Sequence, residues 1–177
     1  LVLPYGSFVD DFIHMGCMFH PVELHSRGTN PIQDIKLLKN YKALIQEIKP
    51  SAVFTYTIKP NIYGGMACAS LGIPYITNIT GLGTAVENAG ILSIITTTLY
   101  KYALRKAQRV FFQNQANLDF MRSKKIVKHN YDLLPGSGVN LQQYHPLPYP
   151  DDNIINFVFI ARVMKEKGID QYFDAAE

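Results

Sequence analysis

Between Ala52 and Leu134 the chain changes period several times. The runs Ala52–Thr57, Ile73–Ile79, Arg109–Gln113 and Tyr131–Leu134 are short, apolar and rich in β-branched or aromatic residues. Such side chains suit a pleated, half-buried surface. Helix-length segments separate the runs: Asn61–Leu71 with its small residues Gly64, Gly65, Ala67 and Ala69, then Ile91–Lys106, then Gln115–Ser123. A strand, a helical crossover and a second strand lie side by side only in parallel. The pattern therefore predicts an α/β fold: a parallel sheet with helices on both faces.

Upstream, Ser7–Met15 reads as a helix and Met18–Leu24 as a strand. Asn30-Pro31 starts a further helix, with Asn as cap and Pro at the first helical position. Ile32, Ile35, Leu38, Tyr41, Leu44/Ile45 and Ile48 recur at helical spacing, and Pro50 ends the helix. Hydrophobic residues make up 47% of the 177 and charged residues 18%, which supports a packed core and argues against disorder. No apolar run approaches the roughly 20 residues of a membrane span. No basic segment followed by an apolar run marks a secretory leader at the start. Cys17 and Cys68 are far apart and form no C-x-x-C, so a reducing compartment and buried thiols are expected.

The stretch Pro135 to Pro150 holds two Gly and four Pro, breaks the rhythm, and reads as a linker between a first domain, 1–134, and a second that starts in 151–177. In the second domain Phe157–Ala161 is expected to be a buried strand running into a loop that carries Arg162 and Lys167, with Gly168 opening a helix. Two cations beside a helix start make a seat for a diphosphate, although solvated surface cations would look the same. Ligands of open α/β sheets bind at the carboxyl ends of strands. Two more such ends are chemically loaded: Thr57, Lys59 and Asn61 after one strand, and Thr80, Gly81 and Gly83 after the next. Glycines there let a ligand approach the backbone.

Residues 101–129 hold eight Lys and Arg against Asp119 alone, while the whole chain carries only +3. A basic zone on an otherwise acidic body points to an anionic partner, and Lys101, Arg105, Lys106 and Arg109 are the expected contacts for a membrane or lipid phosphate. A solvated helix face is the plain alternative. Nucleic acid is not expected, because the zone's aromatics sit at core spacings. Walker, full Gly-x-Gly-x-x-Gly and Gly-x-Ser-x-Gly motifs are absent, and the five histidines show no metal spacing.

The order of motifs is more specific than any one of them. Asn30-Pro31…Asp34, Lys49-Pro50-Ser51-Ala52-Val53, Thr57-Ile58-Lys59-Pro60-Asn61-Ile62-Tyr63-Gly64, Gly72-Ile73-Pro74 and Ile79-Thr80-Gly81-Leu82-Gly83 follow one another. Gly136-Ser137-Gly138-Val139-Asn140…Tyr144-His145-Pro146 and Phe159-Ile160-Ala161-Arg162…Glu166-Lys167-Gly168-Ile169 come next. Together they resemble the retaining family 4 glycosyltransferases of GT-B fold, of the bacterial capsule, O-antigen and lipid-linked-oligosaccharide kind. The resemblance implies Rossmann-like domains, an acceptor side in 1–134 and the first β–α unit of a donor side in 151–177. It implies a nucleotide-sugar donor, usually a UDP-sugar, and a polyprenyl-diphosphate-linked saccharide acceptor. Arg162 and Lys167 match the pair that holds the donor diphosphate, so no metal or other cofactor is expected. Thr57, Lys59, Asn61, Thr80, Gly81 and Gly83 match the cleft beside the acceptor. The implied location is cytoplasmic, peripheral on the inner face of the cytoplasmic membrane.

Thr80 stands where many members have histidine, so a histidine role is not carried over and no catalytic residue is assigned. The family's first strand and helix, and its donor-binding glutamates, have no counterpart in 1–177. These residues alone are therefore expected to be inactive, and an open sheet edge is expected to favour a homodimer. Two other readings remain: a non-catalytic Rossmann-like membrane-docking module, and a GT-B UDP-sugar 2-epimerase, which would need cleft carboxylates and a histidine.

Overall fold

A computed structural model describes residues 1–23, 30–83, 86, 90–151 and 154–176. The chain forms two compact units, Leu1–Gly138 and Val139–Glu177. In the first unit β1 (Val2–Leu3) and β2 (His20–Pro21) pair in parallel around α1 (Val9–His14). The strand expected over Met18–Leu24 is thus only two residues long among the described residues; Leu24 lies outside them, as do His25 and Thr84.

The main sheet has four parallel strands in sequence order: β3 (Val53–Tyr56), β4 (Tyr75–Ile79), β5 (Arg109–Phe112) and β6 (Tyr131–Leu133). Thr55, Thr77, Val110 and Tyr131 stand in one row across it. Period-two alternation sends Tyr75, Thr77, Ile79, Val110 and Phe112 into the core, whereas Phe54 and Tyr56 on the opposite face of β3 are exposed. The Thr55 hydroxyl donates to that of Thr77 at 3.0 Å, which satisfies two polar groups that the core would otherwise penalise. Burying Phe112 completely contributes roughly 2–3 kcal/mol.

The connections are α2 (Pro31–Ile48), a π-helical turn (Pro60–Gly64) continuous with α3 (Gly65–Leu71), α4 (Ile91–Leu104) and α5 (Gln115–Ser123). The Asn30 side chain accepts from the backbone N–H of Ile32 at 3.1 Å and of Gln33 at 3.4 Å, so the cap read from Asn30-Pro31 is present. The small residues serve close packing. A Cβ at Gly65 would lie 3.2 Å from the Tyr75 ring and 3.3 Å from the Ala103 carbonyl.

Two expectations need correction. The buried stripe of α2 is Asp34, Leu37, Tyr41 and Ile45, while Ile32 and Ile35 are exposed. The helix is turned so that Asp34 faces inward, where Lys59 meets it. In the second unit no strand forms over Phe157–Ala161, and Phe157, Val158 and Ile160 are exposed. A strand is stabilised by its neighbours, and among the described residues this unit supplies none. What does form there is a 3-10 turn (Lys165–Lys167) and α6 (Ile169–Asp174) on the left-handed Gly168. Tyr172 anchors the extended segment by donating to the Phe157 carbonyl at 2.9 Å and packing on the Phe159 ring.

Candidate functional site

At the carboxyl end of β3 the backbone turns abruptly. Thr57 has φ of +64°, a region that costs a β-branched residue about 1–2 kcal/mol. The π-helical turn follows at once, and such i→i+5 turns are rare. Two unusual backbone features in succession need side chains to hold them, and these are present. Lys59 Nζ lies 3.0 Å from Asp34 Oδ1, with 18% and 13% of the two side chains exposed. Burial first, then the neighbouring Asp34 carboxylate, pushes the Tyr63 pKa well up, so its hydroxyl stays protonated. The Asn61 backbone N–H donates to the Thr57 carbonyl at 3.0 Å.

The second loop is tied to the first. Asn61 is 1% exposed, and its Nδ2 donates to the Asn78 carbonyl at 3.0 Å. Gly83 has φ of +69°, and a Cβ there would lie 3.0 Å from Ile58 Cδ1. By contrast, a Cβ at Gly81 would meet nothing within 4 Å, so its backbone is open to a ligand. The structure thus brings Thr57, Lys59, Asn61, Thr80, Gly81 and Gly83 into one wall at the carboxyl ends of β3 and β4. Behind it Asn61 Oδ1, Asn78 Oδ1 and the Tyr100 hydroxyl are buried without a well-formed hydrogen bond. Burial pushes the Tyr100 pKa up, with neighbouring Asn61 opposing it.

Lys59 is a correction of emphasis. It is not a cation reaching into solvent but one committed to Asp34, so it sets the loop's shape. Asp34 and Tyr63 stood in the motif order without a role of their own, and neither Asn78 nor Tyr100 was given a site role. Asp34 had a legible signal: a carboxylate in phase with Leu37, Tyr41 and Ile45 at helical spacing.

The four cations expected at a lipid phosphate are differently placed. Exposed Lys101 on α4 and exposed Arg105 at its carboxyl cap are one turn apart, with the Arg105 guanidinium 4.7 Å from the centre of the Tyr102 ring. Lys106 donates to the Ala69 carbonyl at 3.3 Å, and Arg109, on β5, pairs with Asp132 at 3.2 Å. In the second unit Arg162 is exposed on the loop before the 3-10 turn and Lys167 ends that turn. Among the described residues neither forms an ion pair, whereas Lys165 meets Asp170 at 3.6 Å. Among the described residues no three His, Cys, Asp or Glu side chains are grouped to hold a metal, and no helix is long and apolar enough to cross a membrane. A hollow of about 630 Å³ lies between the β1–β2 pair and α2, lined by Val2, His20, Leu37, Tyr41 and Leu44 among others; neither strand-end loop contributes to it.

The family model described as "Glycosyl transferase 4-like" matches residues 5–114, which include both strand-end loops. Among solved structures the chain is similar to the crystal structure of Acinetobacter baumannii MurG, at 13% identity and a TM-score of 0.48. That similarity covers 81% of this chain and 37% of the MurG chain, so the chain spans well under half the length of that relative. No curated protein matches.

Proposed function

This chain belongs to the glycosyl transferase 4-like family, and from that premise we propose that it serves a retaining GT-B glycosyltransferase. The donor is a nucleotide-sugar, a UDP-sugar by preference, and the acceptor a polyprenyl-diphosphate-linked saccharide of surface polysaccharide synthesis. Residues 1–134 form the acceptor side, 135–150 the linker and 151–177 the start of the donor side. The supporting observation is that the matched region contains the two loops that meet at the ends of β3 and β4.

In this reading the sugar's bond to the nucleotide diphosphate breaks, an acceptor oxygen bonds to the same carbon, and the acceptor proton leaves. Arg162 and Lys167 neutralise charge on the departing diphosphate without a metal. The open backbone at Gly81 and the exposed Thr80 face the acceptor, and the Asp34–Lys59 pair holds the neighbouring loop in place. The cations of α4 draw the protein to the anionic inner face of the cytoplasmic membrane, where a lipid-linked acceptor resides. Self-association through the open edge of β3 belongs to the same reading, and sedimentation equilibrium measures it.

Calorimetric titration of the full-length gene product with UDP and UDP-sugars tests the central claim. Binding that falls about tenfold or more in both Arg162→Ala and Lys167→Ala supports it. No nucleotide binding at all sinks it and leaves the docking module as the better account.

A further inference from the structure

The carboxyl edge of the sheet carries polar groups beyond the ends of β3 and β4. Ile79 of β4 and Phe112 of β5 are register partners, so Thr80 and Gln113, each one position further on, start neighbouring loops about 5 Å apart. The ladder between β5 and β6 runs past Leu133, because the Leu134 N–H donates to the Phe112 carbonyl at 2.7 Å. Beyond it Gly136 has φ of +83° and Gly138 φ of +73°, left-handed conformations that glycine adopts without strain. This turn brings Ser137 back to a residue 24 positions away: Gln113 Nε2 donates to Ser137 Oγ at 2.9 Å. A Cβ added at Gly81, Gly136 or Gly138 would meet nothing within 4 Å, so the space over this rim is open.

Three amide side chains follow β5, and two of them are committed locally. Asn114 Oδ1 accepts from the Asn117 N–H at 2.8 Å as the cap of α5, and Gln115 Nε2 donates to Asp119 at 2.9 Å. Gln113 is half-buried and keeps spare capacity. A carboxamide has two N–H donors and two carbonyl lone pairs, and the bond to Ser137 uses one N–H. Among the described residues the Gln113 carbonyl and the Thr80 hydroxyl have no hydrogen-bond partner. Ser137 accepts from Gln113 and still has its own proton to donate.

The rim is also uncharged. Residues 78–83, 112–118 and 134–138 contain no Asp, Glu, Lys, Arg or His. A diphosphate is a poor match, because it offers only acceptors, which the Gln113 carbonyl opposes and no cation draws in. Pyranose hydroxyls match well. Each both donates and accepts, and one carboxamide can meet two adjacent hydroxyls at once through its free N–H and its carbonyl.

We infer that Thr80, Gln113 and Ser137 form a subsite for a neutral pyranose ring of the acceptor saccharide, with Gln113 as its specificity-determining residue. Gln113 grips a pair of adjacent hydroxyls. Ser137 holds the amide in place beforehand, so less side-chain freedom is lost on binding. The inference rests on the glycosyltransferase reading above and narrows it: this rim reads the sugar ring of the acceptor, not its diphosphate.

The full-length gene product is titrated with methyl α-D-glucopyranoside and its galacto and manno isomers, read by saturation-transfer NMR without nucleotide. One isomer should bind best. Gln113→Ala should weaken that isomer about fivefold or more and bring the three to similar affinity. Ser137→Ala should weaken it less and keep the order, and Gln115→Ala, outside the rim, should bind like the parent. Calorimetry should give the same affinity for UDP and for UDP-glucose in Gln113→Ala as in the parent. Matching thermal midpoints show that the variants fold. No saturation transfer from the parent to any of the three sugars overturns the proposal. So does an equal loss in Gln115→Ala, or a loss in Gln113→Ala that keeps the isomer order. Weaker UDP-glucose with unchanged UDP in Gln113→Ala would give the rim to the donor sugar, and weaker UDP would give it to the base; either overturns the acceptor assignment. Saccharide binding is read without nucleotide and UDP binding without saccharide, so this inference and the glycosyltransferase reading fail separately.

Discussion

Asp34 and Lys59 illustrate how one residue pair fixes a loop. Both are largely withdrawn from water, so removing one leaves the other's charge poorly solvated. Asp34→Ala should destabilise the first unit by about 2–3 kcal/mol in urea unfolding. Adding Lys59→Met to it should recover part of that loss, and strictly additive losses would show that the two side chains do not interact. Thr57 gives the opposite sign. Its left-handed backbone is strained, so Thr57→Gly should raise stability by up to about 1 kcal/mol if the turn is retained. A loss of the same size instead would mean that the Thr57 side chain holds something the fold requires. Little of this was legible in the sequence. Thr57, Lys59 and Asn61 could be read as a loaded strand end, because hydroxyl, amine and amide follow an apolar run. The inward turn of Asp34 that engages Lys59 depends on the rotation of α2, which side-chain spacing left one position out at its amino end.

Elements divide by whether their stabilising contacts are local. The start of α2 is local: Asn30 caps two N–H groups of its own helix and Pro31 presets the first turn. Asn30→Ala should therefore cost about 1 kcal/mol in urea unfolding, and no loss would show that the cap is redundant with tertiary packing. β3, β4, β5 and β6 were readable because each is a short run rich in β-branched or aromatic side chains, and in the first three the sheet buries alternate positions. The segment Phe157–Ala161 has the same composition and is not a strand in this chain, because composition confers only a preference and the ladder needs a partner. α4 was recognised as a helix-length segment between two strand runs. That its Ile91, Ile94 and Ile95 face outward was not recognised, since an apolar stripe on paper does not say which side the core will take.

At the scale of the whole molecule, burial sets how stability responds to pH. Cys68 is pushed up to about 11, and Tyr41 and Tyr75 to about 12, each chiefly by burial of the group. A raised folded-state pKa favours the protonated form, so these groups' contribution is intact below about pH 9, where the unfolded thiol begins to ionise. It is lost as pH rises through about 9 to 12, because unfolding then releases protons. The urea midpoint should accordingly fall across that alkaline window, and a flat profile would contradict the burial of these three groups. Under native conditions an aromatic disulfide reagent should modify half-exposed Cys17 and spare Cys68 until the protein unfolds.

By itself the sequence determined the class of sheet, the runs that become its strands, most helix limits and the identity of the two loops at the strand ends. Those follow from side-chain period, caps and turn residues, all of which act within a few positions of one another. The tertiary structure alone decided the rotation of α2, the Asp34–Lys59 pair, the contact of Ile58 with Gly83 and the outward face of α4. Each is a contact between segments 25 or more positions apart, or the lack of one. Such contacts are selected by how the buried surfaces of whole elements fit together, which no local pattern contains.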